Sequence, residues 1–256
     1  MPLPTMAATA FLWGLVAAIV LSFVAAYRHR RQYSVWEYTL YGLAYAFSRF
    51  RWRASVVDGQ ENFENLKTGC VIVANHRCSV DPFFIQLAAG RRVHWMVAGE
   101  YCKHVLFGPL LKLLQVIPTN RGGVDSKAIK MAIRYCSEGR FVGMFPEGRI
   151  NRTDQPLLTV RPGAALVAMR AKVPLVPIWV EGAPSGPEVW SPVLLSARVR
   201  IRVGEPILPP QESEEREGSD QAAARTWLQQ AMTQVAFMGG HQNREIGLAG
   251  KDWKDS

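Results

Sequence analysis

Paired cysteines are missing from this 256-residue chain. Its four cysteines, Cys70, Cys78, Cys102 and Cys136, stand singly, with no C-x-x-C among them. That spacing signals neither a zinc site nor a disulfide framework, and reads as reduced thiols in a domain facing the cytoplasm. No internal repeat runs along the sequence, which excludes a solenoid or a propeller. Acidic excess is missing too. The formal net charge is +9, so the partner is anionic: nucleic acid, a phosphate-bearing substrate or an anionic membrane surface.

Charge of either sign is absent from residues 6–27, MAATAFLWGLVAAIVLSFVAAY. As a helix this run is about 33 Å long, enough to cross a hydrocarbon core of about 30 Å. Arg28, Arg30 and Arg31 follow it. A secretory signal peptide carries its positive charge ahead of a shorter apolar run. The order here predicts a single-pass anchor with the rest of the chain on the cytoplasmic face. Residues 33–53 mix aromatic rings with Arg49, Arg51 and Arg53. They read as an interfacial helix or as the first core helix of the soluble part, and periodicity does not separate the two. Residues 1–53 are accordingly expected to form a membrane anchor. Basic residues flanking apolar and aromatic runs point to an anionic membrane surface as partner rather than nucleic acid.

What is present from residue 54 onward is alternation. Apolar β-rich runs at 54–59, 70–75, 93–99, 116–120, 141–148, 174–182 and 197–204 are separated by helical patterns at 81–89, within 100–114, at 125–139 and at 163–172. This predicts an α/β domain over 54–240, with a mixed, mostly parallel sheet flanked by helices. The run CVIVA is apolar throughout, as a strand buried on both faces should be. Ala224, Leu228, Ala231, Val235 and Met238 mark one face of a closing helix. A polar, frayed tail is expected over 241–256. Arg198, Arg200 and Arg202 alternate with apolar residues and should share one sheet face, solvated or turned to a membrane.

Chemistry concentrates in NHRCSVDPFF, residues 75–84. Asp81 before Pro82 reads as a helix N-cap. An aspartate fixed there can also reach back to His76, set its imidazole tautomer and stabilise the imidazolium. With VIPTNRGG (116–123, containing Arg121), FPEGR (145–149) and VPLVPIWVEGA (173–183), this block resembles the glycerolipid acyltransferases, typified by 1-acylglycerol-3-phosphate acyltransferase. Four blocks stand in the family's order over about residues 55–205.

The resemblance implies that His76 is the general base and Asp81 its partner. The base acts on the hydroxyl of a lysophospholipid, which attacks the acyl thioester of acyl-CoA or acyl carrier protein. Those co-substrates are the only non-protein groups expected, with no metal and no other cofactor. It further implies that Arg121, Glu147, Gly148, Arg149 and Arg161 bind substrate, Glu147 by orienting Arg121 or Arg149 or by accepting a glycerol hydroxyl. One departure is visible. Arg149 and Ile150 replace the threonine and arginine of the commonest FPEGTR form. The variant is similar to enzymes that reacylate lysophosphatidylethanolamine, so the acceptor headgroup stays open. Other readings of the same residues are a non-catalytic lipid-binding protein and a thioester hydrolase using water or Cys78. Asn151-Arg152-Thr153 is formally a glycosylation sequon.

Overall fold

A computed structural model describes residues 35–105, 108–120, 125–186, 190–210, 217–242 and 246–249. The uncharged run 6–27, the basic residues at 28–31 and Arg121 lie outside the described residues. Among the described residues no helix is long and apolar enough to cross a membrane. The chain divides into two compact units, Met1–Ala46 and Phe47–Ser256.

Seven strands form one sheet in the order β1-β7-β6-β2-β5-β3-β4. They are β1 (Ser55–Asp58), β2 (Cys70–Ala74), β3 (Val93–Ala98), β4 (Ile117–Thr119), β5 (Phe141–Met144), β6 (Leu175–Glu181) and β7 (Arg200–Val203). Every neighbouring pair is parallel except β6 with β7. This is the mixed, mostly parallel α/β sheet that the alternation predicts. The expected helix within 100–114 is two short ones, Gly99–Cys102 and Gly108–Leu113.

Period-two alternation divides the core into two layers. Val71 and Val73 of β2 face one side, with Val142, Leu175 and the helices Ser126–Ser137, Gly163–Ala171 and Glu217–Met238. Cys70, Ile72 and Ala74 face the other, against Phe84, Ile85 and Ala88 of helix Asp81–Ala89. All five β2 residues are fully buried, as a central strand covered on both faces requires. Trp52 lies in the second layer, edge-on to Phe84 at 5.2 Å. It belongs to the core of the α/β unit, although its neighbours in sequence read equally well as interfacial.

One other expectation changes. Residues 246–249 are not frayed. Ile246 is buried, Val160 donates its N–H to the Gly247 carbonyl, and Ala249 donates to the Val160 carbonyl. Arg198, Arg200 and Arg202 do share one face: they alternate with the buried Val199, Ile201 and Val203. Across the antiparallel pair, Arg200 and Arg202 both meet Glu181, Arg202 at 3.3 Å. Burial pushes the Glu181 carboxyl up, but the two arginines outweigh it and hold it below its ordinary value. Arg198, ahead of the strand, and Arg200 are exposed, and Arg202 is half-buried.

Candidate active site

β2 and β5 are parallel neighbours, with Val73 beside Met144. The two segments that leave their carboxyl ends, 75–81 and 145–161, are therefore brought together where open α/β sheets place their ligands. Asn75, fully buried, keeps β2 attached to β6 for one more residue: its Nδ2 donates to the Val180 carbonyl and its Oδ1 accepts the Val180 N–H, both at 2.8 Å. The chain then turns and presents His76.

His76 Nδ1 lies 3.0 Å from Asp81 Oδ2, with the aspartate fully buried and the imidazole 16% exposed. The carboxylate does not cap its helix in the expected manner. Val80 occupies the N-cap position and Asp81 is the first helical residue, followed by Pro82. Asp81 Oδ2 instead accepts the backbone N–H groups of Arg77 (2.7 Å) and Cys78 (2.8 Å), and Oδ1 accepts the Cys78 thiol at 3.1 Å. The helix start fixes the aspartate backbone, and the loop supplies the donors. That many donors hold the carboxylate in place, where it can fix the Nδ1–H tautomer of His76. Burial and the adjacent carboxylate push the Cys78 thiol far above its ordinary range. A protonated thiol bonded to Asp81 is no nucleophile, which removes the Cys78 hydrolase reading.

The imidazole rests on a pile of rings. It stacks on Phe145 at 3.9 Å between centroids and 9° between planes, and Phe145 stacks on Trp95 at 4.9 Å and 14°. Trp95 in turn lies over Gly143, where a Cβ would come within 2.6 Å of the indole. Gly143 thus leaves room for the whole pile.

Glu147 occupies a different position from the one expected. It is buried, and neither oxygen is directed to an arginine in the described structure. Oε1 accepts the His76 N–H at 2.8 Å and Oε2 accepts the Leu158 N–H at 2.9 Å. Burial pushes its carboxyl up to about 7, against the two backbone N–H groups and the charges of His76 and Arg77. Glu147 ties the base to the 145–161 segment. The reverse tie runs from the Asn151 N–H to the His76 carbonyl at 2.7 Å. Asn151 is itself locked: its Oδ1 accepts from Thr153 N–H and Oγ1–H, and its Nδ2 donates to the Gln155 carbonyl. The sequon is an Asx turn. Arg77 straps the same turn by donating Nη1 to the carbonyls of Thr153 and Gln155.

Gly148, Arg149 and Arg161 come together on the next stretch. Gly148 has φ +69°, and a Cβ there would lie 3.2 Å from the Arg161 guanidinium. Glycine serves both the left-handed backbone and the close approach. Burial and then the charge of Arg149 lower the Arg161 proton affinity; two guanidinium groups on this stretch suit an anion. Sequence reading missed Phe145, Arg77 and Asn151 as parts of the site. Only Asn151 left a signal, the N-x-T pattern of an Asx turn.

A hydrogen-bonded His–Asp pair on a buried backbone frame, with two arginines on the neighbouring segment, is an arrangement that can take a proton from a hydroxyl and meet an anion. The family model described as Acyltransferase matches residues 55–181. The 1-acyl-sn-glycerol-3-phosphate acyltransferase of Bacillus subtilis is 32% identical over 151 residues, 57% of this chain and 71% of that protein. That of Streptococcus pneumoniae is 28% identical over 149 residues, 57% of this chain and 53% of that protein. A crystal structure of the 1-acyl-sn-glycerophosphate acyltransferase of Thermotoga maritima shares the fold, with a TM-score of 0.54 over 79% of this chain and 82% of that one, at 19% identity. The chain belongs to the glycerolipid acyltransferase family and is an acyltransferase.

Proposed function

We propose that this enzyme moves a fatty acyl group from an acyl thioester to the free hydroxyl of 1-acylglycerol-3-phosphate, making phosphatidic acid. The observation that carries the reading is the His76–Asp81 pair at 3.0 Å, its imidazole partly exposed. With Nδ1 held by Asp81, His76 Nε2 takes the proton of the acceptor hydroxyl as its oxygen attacks the thioester carbonyl. The C–O bond forms, the tetrahedral intermediate collapses, the C–S bond breaks, and the imidazolium returns its proton to the leaving thiolate. No covalent enzyme intermediate is needed. A positioned base of this kind contributes about 10²–10⁴-fold, and alignment of the two substrates adds several kcal/mol more. The donor is acyl-CoA or acyl carrier protein, both thioesters on a phosphate-bearing carrier.

Arg149 and Arg161 hold the acceptor phosphate. Two guanidinium groups beside Gly148 suit a dianionic phosphate monoester better than the zwitterionic diester of lysophosphatidylethanolamine. Arg121, beside two glycines, is assigned to the same anion or to the donor's phosphate. The protein is held at a membrane, with the uncharged run 6–27 as a single-pass anchor and Arg28, Arg30 and Arg31 on its cytoplasmic side. An acceptor panel tests the reading. Ester formation on 1-acylglycerol-3-phosphate is expected to exceed that on lysophosphatidylethanolamine and glycerol phosphate by about tenfold or more in kcat/KM, a preference of about 1.4 kcal/mol. Equal rates on the first two would overturn the acceptor assignment. Free fatty acid released at one rate with and without acceptor would overturn acyl transfer.

A further inference from the structure

The strand directions place an unexplained surface at the same end of the sheet as His76. β2, β5 and β6 run toward that end, where Asn75 pairs with Val180. β7 starts there, with Arg200 opposite Glu181, and β1 starts beside it, with Ser55 opposite Arg200. The segments leading into β1 and β7 therefore share an end with the catalytic loop.

Those segments expose large apolar side chains. Phe50 is 81% exposed, Leu194 63% and Trp190 57%, with Val193 and Leu195 also exposed. They are not loosely held. Arg51 donates to the Leu194 carbonyl and to Ser196 Oγ, and the buried Trp52 donates Nε1 to the Pro192 carbonyl at 3.1 Å. Gly186 sits so close to Ser191 that a Cβ would meet its Oγ at 2.1 Å. Trp52 also packs on Phe83 and Phe84, two and three residues beyond Asp81. A single buried indole thus joins this surface to the helix that carries the catalytic aspartate. Exposed Arg49, Arg53 and Arg198 lie on the same two segments.

We propose that Phe50 and the Trp190–Leu195 segment form a wedge that enters an anionic lipid leaflet and docks the His76 end of the sheet against it. Apolar rings and leucines fixed on a frame, with tryptophan at the margin and arginines around it, match the headgroup–acyl boundary. The exposed arginines select anionic lipid over a neutral surface. The inference rests on the reading that the acceptor is a membrane lipid: such a molecule presents its hydroxyl and phosphate at the headgroup layer, where this end of the sheet would lie. The wedge is distinct in sequence from the uncharged run 6–27.

The test uses the full chain in vesicles of phosphatidylglycerol and phosphatidylcholine. An environment-sensitive fluorophore on L194C is expected to be quenched by lipid spin-labelled near the headgroup, beyond the background of the parent chain labelled in the same way. L194E is expected to lower turnover of vesicle-borne 1-acylglycerol-3-phosphate by about tenfold. Turnover of a short-chain, monomerically dissolved acceptor should match the parent. Three results would overturn the proposal: a fluorophore that stays in water, vesicle activity unchanged in L194E, or equal losses on both acceptors. The first would leave this surface to a protein partner. Should L194E fail to fold, the quenching measurement on L194C decides alone. A parent chain that turns over neither acceptor would sink the functional reading while leaving the quenching result standing.

Discussion

The two halves of the site are built on opposite principles. Around His76 each polar group has a fixed protein partner: Asp81 takes four donors, Glu147 takes two backbone N–H groups, and Asn151 closes its own turn. Around Gly148 stand two arginines, and the charge of Arg149 adds to burial in lowering the Arg161 proton affinity. The first half is finished before substrate arrives, as a base that must be aligned within a fraction of an ångström requires. The second presents like charges that an anion would offset. Reaction geometry is invested in the fold, and recognition is left for the ligand to complete.

This contrast predicts a graded series of effects. The largest comes from removing the base. H76A is expected to lower kcat by about 10³-fold, within the range of general-base catalysis, with an unchanged thermal transition. Turnover near the parent level would remove His76 from the chemistry.

Glu147 comes next, and its effect depends on pH. Its folded pKa of about 7 lies above the ordinary 4.5, so the folded state binds the extra proton in between. Its contribution to stability is full below pH 4.5 and is lost as pH rises through 7, by about 3 kcal/mol at 1.36 kcal/mol per unit. His94 works in the other direction. Burial lowers it from 6.5 to about 4, so its contribution is present above pH 6.5 and lost as pH falls through 4. Subtracting the denaturation profile of E147Q from that of the parent isolates Glu147. A flat difference between pH 4.5 and 7 would contradict the assignment.

On the recognition side the effect is smaller and appears in a different constant. R161A is expected to raise the acceptor KM by about tenfold, or about 1.4 kcal/mol, with kcat little changed. A fall in kcat with constant KM would move Arg161 into the aligned half.

The smallest effect tests the Cys78 thiol. A hydroxyl is a stronger donor to Asp81 Oδ1 than a thiol. C78S should therefore move the acid limb of the pH–rate profile toward lower pH by less than about half a unit, with kcat changing less than about threefold. Loss of all activity in C78S would mean that sulfur does more than donate to the carboxylate.

The aligned half was the more legible in sequence. Apolar CVIVA could only be a central strand, Asp81-Pro82 could only begin a helix near that point, and the four residues between His76 and Asp81 allow a one-turn return. The direction of the carboxylate was not legible, because an aspartate at a helix start can face forward to the helix or back to the loop, and only the donors on Arg77 and Cys78 decide. Glu147 misled for a related reason: beside arginines in sequence it suggests an ion pair, but the parallel register of β2 and β5 places backbone N–H groups nearer. Phe145 looked like one more strand residue, since nothing local shows that Gly143 has opened a slot for Trp95. Trp52 belongs to the core because β1 starts beside β7, a pairing with no signature short of the sheet itself.

Position 143 carries the least matter of any residue in β5, yet it sets where the imidazole stands. A methyl group added there would lift the indole, the indole would tilt the phenyl ring, and the catalytic nitrogen would arrive displaced. A variant such as G143A would therefore behave as an active-site lesion, although three aromatic rings separate it from the proton being moved.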